Sequence, residues 1–205
     1  MIVTGLSINS FAQKNEKEND EKKGFKKENL FTGGSATLAF SNIYTAIGIS
    51  PHFGYSLTNW ADAGVVLNFN YQSQRDYFDY GDKLHQTTYG PGAFVRLFPI
   101  RFLFAQVQYE HNFITSKYFP VVQGAIPSQF NDDENSLLVG GGYAGGRAPG
   151  NNSFYYFAVL WDVLALPGSP YVDGLGRGIP IFKVGYNIAL FQGKSGKYVK
   201  RRRRP

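Results

Sequence analysis

Between residues 30 and 191 apolar and polar positions alternate with a period of two. Within 44–57, Thr45, Ile47, Ile49, Pro51, Phe53, Tyr55 and Leu57 share one face, and Ala46, Gly48, Ser50, His52, Gly54 and Ser56 share the other. Successive side chains of a strand point to opposite faces, whereas a helix would scatter these residues around its circumference. The design recurs. Ala63, Val65, Leu67, Phe69 and Tyr71 oppose Asp62, Gly64, Val66, Asn68, Asn70 and Gln72. Tyr89, Pro91, Ala93, Val95 and Leu97 oppose Thr88, Gly90, Gly92, Phe94 and Arg96. Leu103, Ala105, Val107 and Tyr109 oppose Phe104, Gln106, Gln108 and Glu110, and Phe182, Val184, Tyr186, Ile188 and Leu190 oppose Lys183, Gly185, Asn187 and Ala189.

The pattern predicts eight strands, at about 30–41, 44–58, 61–73, 85–98, 102–115, 136–146, 153–164 and 179–191. Their connections alternate in length. Short ones at 58–59, 99–101 and 147–152 face long ones at 74–84, 116–135 and 165–178, and only the tight loop around Asn42 departs from the rule. This is the layout of an eight-stranded antiparallel up-and-down transmembrane β-barrel, all-β, with both termini on the short-turn side.

Polarity separates this fold from a soluble barrel. The face carrying Asp62, Arg96, Glu110, Asp162 and Lys183 is otherwise rich in Gly, Ser and Ala. That composition suits the narrow interior of eight strands, where these five charges are expected to form a paired lumen network and no wide conducting channel is left. The opposite face of Val, Ile, Leu, Phe and Tyr suits lipid. Trp60, Phe98, Phe102, Phe113, Phe154, Tyr155 and Phe191, with Tyr118, fall near strand ends and are expected to form the interfacial aromatic girdle. The alternative is a soluble lipocalin-like binding barrel, with the apolar face as its core.

Composition narrows the choices further. Of 205 residues 24 are Gly, 17% are aromatic, 18% are charged and none is Cys. This composition excludes a wholly disordered chain, and zero Cys excludes a disulfide scaffold or a thiolate metal site. No apolar run reaches the length of a membrane helix. Residues 1–12 close on Ser10-Phe11-Ala12, small at −3 and −1, and are read as a signal-peptide remnant. Residues 13–29 are nearly all Lys, Glu, Asp and Asn and are read as a flexible charged linker. Residues 192–205 form a basic tail. Lys194, Lys197, Lys200, Arg201, Arg202, Arg203 and Arg204 carry seven positive charges, and removing them from the net +6 leaves −1 for the rest. The remainder lacks the basic, aromatic-interleaved face that nucleic acid requires.

The opening Gly33-Gly34-Ser35-Ala36-Thr37-Leu38-Ala39-Phe40-Ser41, the strand Ile49-Ser50-Pro51-His52-Phe53-Gly54-Tyr55 and the run Tyr89-Gly90-Pro91-Gly92-Ala93-Phe94-Val95-Arg96 resemble small outer-membrane β-barrels of the Bacteroidetes type. These are broadly similar to the OmpX and OmpA barrels. The likeness spans nearly all of 29–191 and implies fold and outer-membrane location, with no single activity. Such barrels commonly end on a terminal aromatic. Here Phe191 closes the last strand and fourteen residues follow it.

Gly140, Gly142 and Gly145 match G-x-G-x-x-G, but Arg147-Ala148-Pro149-Gly150 follows where a dinucleotide fold needs a helix. His52, His85 and His111 have no partner at metal spacing, and none has Ser two positions later, as the His-x-Ser of outer-membrane lipid A deacylases requires. The run Asn131-Asp132-Asp133-Glu134-Asn135 reads as a solvated acidic loop. The expectation is therefore a non-enzymatic outer-membrane barrel without cofactor or metal, with a structural or surface-interaction role. Its expected partners are outer-membrane lipid and lipopolysaccharide, with both termini in the periplasm. The alternative within the membrane reading is an accessory subunit of a larger assembly, docking another envelope protein through Lys200, Arg201, Arg202, Arg203 and Arg204.

Overall fold

The computed structural model describes residues 25–191 except 41–43, 78, 122–125, 149–150 and 173–175, and describes the backbone alone at 39 and 40. The signal-peptide remnant, the linker as far as residue 24 and the basic tail lie outside the described residues. A short 3-10 turn, Lys27–Asn29, leads into the first strand.

Eight strands follow: β1 (Leu30–Phe40), β2 (Tyr44–Thr58), β3 (Ala61–Arg75), β4 (Lys83–Ile100), β5 (Leu103–Phe119), β6 (Ser128–Gly145), β7 (Phe154–Asp162) and β8 (Ile181–Ala189). Each pairs antiparallel with its neighbour in sequence, and β1 pairs with β8, from Phe31 opposite Ala189 to Leu38 opposite Phe182, closing the barrel. Closure satisfies both edges of the sheet, the one arrangement that leaves no exposed ladder. Strand packing is tight where glycine faces a neighbouring backbone. A Cβ on Gly90 would fall on the carbonyl of His111.

Alternation predicted the faces correctly. Ile49, Val65 and Val107 point outward, with 62, 60 and 46% of their surface exposed, while Ser50, Val66 and Gln108, the next residue in each strand, are buried inside. A barrel made to live in water hides its apolar side chains within. Here the arrangement is the reverse, and that reversal disfavours the lipocalin-like alternative. Among the described residues, buried apolar side chains gather in three small clusters. One, toward the short turns, joins Phe98, Phe104, Ala144, Phe154, Tyr156 and Ala158; another joins Leu138, Leu160, Tyr171 and Ile181; the third joins Phe31, Val66 and Phe94.

The β5–β6 connection is shorter than the sequence suggested, because β5 and β6 continue as a paired ladder, whereas the β7–β8 connection is longer, at 163–180 instead of 165–178. Ser116 faces Phe130 and Lys117 faces Gln129 in a stretch expected to be loop. Asn131 to Asn135 therefore lies in β6, opposite Asn135's partner His111 through Thr115, and is not the expected acidic loop. The alternation signal fades there because both faces are polar, while the backbone ladder is indifferent to side-chain polarity. From Leu103 to Phe113 the outward face of β5 is apolar except for the half-buried His111, and it then turns polar at Thr115 and Lys117. That matches the height of a membrane-crossing strand, about 9–11 residues. Past that level β4, β5 and β6 stand beyond the apolar band as a mostly polar sheet that also exposes Phe119 and Phe130. The ladder from β6 to β7 begins only at Leu138 opposite Asp162.

Candidate functional site

The inward rows of β3, β4, β5, β7 and β8 bring Asp62, Arg96, Glu110, Asp162 and Lys183 into the lumen, each at most 4% exposed. Their contacts are specific. On β5, whose inward residues stack at every second position, Arg96 Nε donates to Gln106 Oε1 at 2.9 Å, Gln106 Nε2 to Gln108 Oε1 at 2.7 Å, and Gln108 Nε2 to Glu110 Oε1 at 2.5 Å. Lys183 Nζ from β8 lies 3.5 Å from the same Glu110 oxygen. Three of the five residues are thus joined by a ladder of two glutamine amides. The Arg96 guanidinium also lies over the rings of Phe94, Phe104 and Tyr156, with centroids at 5.1, 5.0 and 4.4 Å. Aromatic faces favour a cation held out of water.

Asp62 sits directly across the β3–β4 ladder from Arg96, yet its carboxylate is gripped by another residue. Arg147, from the β6–β7 turn, donates from Nη1 to Asp62 Oδ2 at 2.7 Å and from Nη2 to Oδ1 at 3.0 Å. Its guanidinium stacks on Phe98 at 3.8 Å and Phe154 at 5.3 Å. Gly146, at φ +91°, turns the chain so that Arg147 can fold back into the barrel mouth. Arg147 is the residue that sequence reasoning missed at this end.

Two aromatics of the expected girdle are corrected by the same cluster. Phe98 and Phe154 are buried inside the barrel and do not face lipid. Strand parity carries the signal, since Phe98 follows Arg96 by two and Phe154 precedes Asp162 by eight. Trp60, Phe102, Phe113, Tyr155 and Phe191 are exposed, whereas Tyr118 donates its hydroxyl to Asp82 at 2.8 Å.

At the opposite end the β7–β8 connection enters the lumen. Asp162 accepts the backbone N–H groups of Leu137 and Leu164, each at 3.1 Å, and the Ser169 hydroxyl at 2.6 Å. Anchored so, Ser169, Pro170 and Tyr171 descend into the barrel. Gln72 Nε2 donates to the Pro170 carbonyl at 2.9 Å, and Asn70 Nδ2 to the Tyr171 oxygen at 3.2 Å. Tyr171 donates its hydroxyl to Glu110 Oε2 at 2.6 Å. Burial first, and the Glu110 carboxylate second, hold the Tyr171 phenol well above its ordinary pKa, so it stays a donor. Tyr171 closes one end of the lumen and the Arg147–Phe98 cluster closes the other. Above Tyr171 a cavity of about 360 Å³ opens among the long connections.

The three histidines are dispersed. His52 Nε2 meets Asn187 Oδ1 at 2.9 Å inside the lumen, His85 packs on Tyr71 and Phe119, and His111 Nδ1 meets Asn135 at 2.9 Å. Among the described residues none of the three meets a nucleophile oriented by a third group.

No family model and no curated protein matches the chain. Among solved structures it is similar to Ail, the attachment invasion locus protein of Yersinia pestis, in complex with the heparin analogue sucrose octasulfate, at 8% identity and a TM-score of 0.46, covering 78% of this chain and 96% of that one. It is likewise similar to Neisserial surface protein A, at 12% identity and a TM-score of 0.38 over 78% and 96% of the two chains. A structure of Yersinia pestis Ail in a phospholipid bilayer nanodisc aligns at 11% identity and a TM-score of 0.34, over 78% and 98%.

Proposed function

We propose that this protein is a non-enzymatic outer-membrane β-barrel that presents its long-connection end at the cell surface for interaction. The observation that carries the reading is the inverted polarity of a closed barrel. Its outward face is apolar over a membrane-crossing height, and its interior is packed with Asp62, Arg96, Glu110, Asp162, Lys183 and Arg147. In hydrocarbon every backbone polar group must be paired internally, and a closed ring of strands does this. The exposed Trp60, Phe102, Phe113, Tyr155 and Phe191 would sit at the interfaces, against outer-membrane lipid and lipopolysaccharide. The polar extension of β4, β5 and β6 supports a surface role, since it stands beyond the apolar band with Asp132 and Asp133 exposed.

Expression in a Gram-negative host, membrane fractionation and protease treatment of intact cells test this. Recovery in the outer membrane with cleavage near residues 120–127 is expected. Recovery in the soluble fraction, or protection of that connection in intact cells, overturns the reading. The basic tail as a handle for another envelope protein is a separate proposal. Deleting residues 193–205 is expected to leave the barrel inserted and to abolish salt-sensitive co-purification.

A further inference from the structure

The closure of the lumen by Tyr171 turns the cavity above it into a dead-end cup rather than the mouth of a channel. Its volume of about 360 Å³ lies at the lower end of the range of small-molecule sites, about 300–1,000 Å³. Three glutamine amides reach it, Gln72 and Gln74 from β3 and Gln86 from β4. Gln72 uses one N–H on the Pro170 carbonyl, and Gln86 donates to the Ser116 hydroxyl at 3.3 Å, which leaves the amide oxygens of both. The Gln74 amide has no hydrogen-bond partner among the described residues. A primary amide offers two donors and one acceptor, so the wall presents both kinds of group side by side. Phe130 and Tyr77 add aromatic surface, and among the described lining residues Asp132 is the one formally charged side chain, with no Lys or Arg.

We infer that this cup binds an uncharged saccharide of one or two rings. The inference rests on the proposed surface orientation only for its biological access. Sugar hydroxyls both donate and accept, matching adjacent amide donors and acceptors, and the apolar face of a pyranose stacks on an aromatic ring. A sulfated or phosphorylated ligand meets no cation among the described lining residues and is repelled by Asp132. An apolar ligand would leave the amides unpaired, a cost comparable to lost hydrogen bonds.

The test uses the refolded full chain in detergent micelles and saturation-transfer NMR with glucose, maltose and diacetylchitobiose at millimolar concentration, and sucrose octasulfate as the anionic probe. A transfer signal from at least one neutral sugar is expected, reduced at least tenfold in the Gln74→Leu/Gln86→Leu double variant. That variant is checked for folding by the heat-dependent mobility shift of closed barrels. Should it fail to fold, Gln74→Ala alone, which removes no hydrogen bond among the described residues, carries the same comparison. The inference is overturned by silence from all three sugars, by an unchanged signal in the folded variant, or by a stronger signal from sucrose octasulfate. Binding in micelles does not depend on where the barrel resides. A failed sugar test therefore leaves the outer-membrane reading intact, and failed fractionation leaves the sugar result intact.

Discussion

Arg147 and Asp62 form a two-pronged ion pair across the mouth of the barrel, at 2.7 and 3.0 Å, although 85 residues separate them in sequence. The Asp62 side chain is wholly buried and that of Arg147 is 6% exposed. The β6–β7 turn is therefore tied to the start of β3 by a contact that also seats the guanidinium on Phe98.

Removing one partner of such a pair leaves an uncompensated buried charge, which costs about 3–5 kcal/mol. Arg147→Met is expected to lower unfolding stability by that order in a denaturant titration in lipid vesicles. Arg101→Met, in the exposed β4–β5 turn, is expected to change it by no more than about 0.5 kcal/mol. The double variant Asp62→Asn/Arg147→Met is expected to recover part of the loss. Equal midpoints for the two single variants would show that the pair does not hold the turn.

The fold was legible because β-periodicity is a local property. The alternation around Val65 or Val107 carries the face assignment without help from the rest of the chain. Two kinds of information were not local. The polar ladder between Ser116 and Phe130 shows no alternation, so periodicity alone ends both strands short of the ladder that the backbone forms. Arg147 lies in a turn, where parity says nothing, although the charge balance gave a hint. Three acids and two bases in the lumen left one negative charge over, and Arg147 is the missing sixth member. Parity turns Phe98 and Phe154 inward, whereas their position near strand ends alone points to the girdle. Tyr171 left no sequence signal, since its insertion depends on Asp162 holding Ser169, a contact made only once β7 is in place.

Tyr171 makes a second prediction. Its hydroxyl donates to a carboxylate, a class of hydrogen bond worth about 1.5–3 kcal/mol. Tyr171→Phe is expected to lose stability of that order and to speed hydrogen exchange in the β7–β8 connection. The sign with pH follows from the raised pKa. The stabilisation is fully present below the phenol's ordinary value, about 10, and is lost as pH rises through the higher folded value. The gap between wild type and Tyr171→Phe should therefore be constant at neutral pH and narrow under strongly alkaline conditions. A gap that stays constant through that range would place Tyr171 outside the Glu110 contact.

Gly90 and Gly34 give a matched pair on the barrel wall. An added methyl at Gly90 would land on the His111 carbonyl of the adjacent strand, whereas at Gly34 its nearest neighbours lie 3.8 Å away, at ordinary contact distance. Gly90→Ala is expected to disturb the β4–β5 register and reduce the refolded yield, and Gly34→Ala to refold like wild type. Gel mobility of unboiled samples reads both. Normal refolding of Gly90→Ala would mean that the two strands are less closely apposed than described.

The outward face provides the last prediction, because a membrane and water set opposite signs on the same substitution. Val107 is exposed on β5, midway along the apolar stretch from Leu103 to Phe113, whereas Phe119 is exposed at the end of the strand beyond that stretch. In a bilayer an arginine on the lipid face costs about 2–4 kcal/mol at mid-depth and about 0–1 near the interface. Val107→Arg is therefore expected to lower stability by that larger amount when the protein is unfolded from vesicles, and Phe119→Arg to leave it nearly unchanged. In a barrel surrounded by water the arginine would forfeit only cross-strand contacts with Val95 and Val139, worth roughly 0.2–1 kcal/mol, and both variants would be close to neutral. Equal, small effects at the two positions would remove the physical ground for the membrane reading, since the apolar band would then face solvent. A large cost at Val107 alone would fix the depth of the band on β5 and, through the ladder, on every other strand.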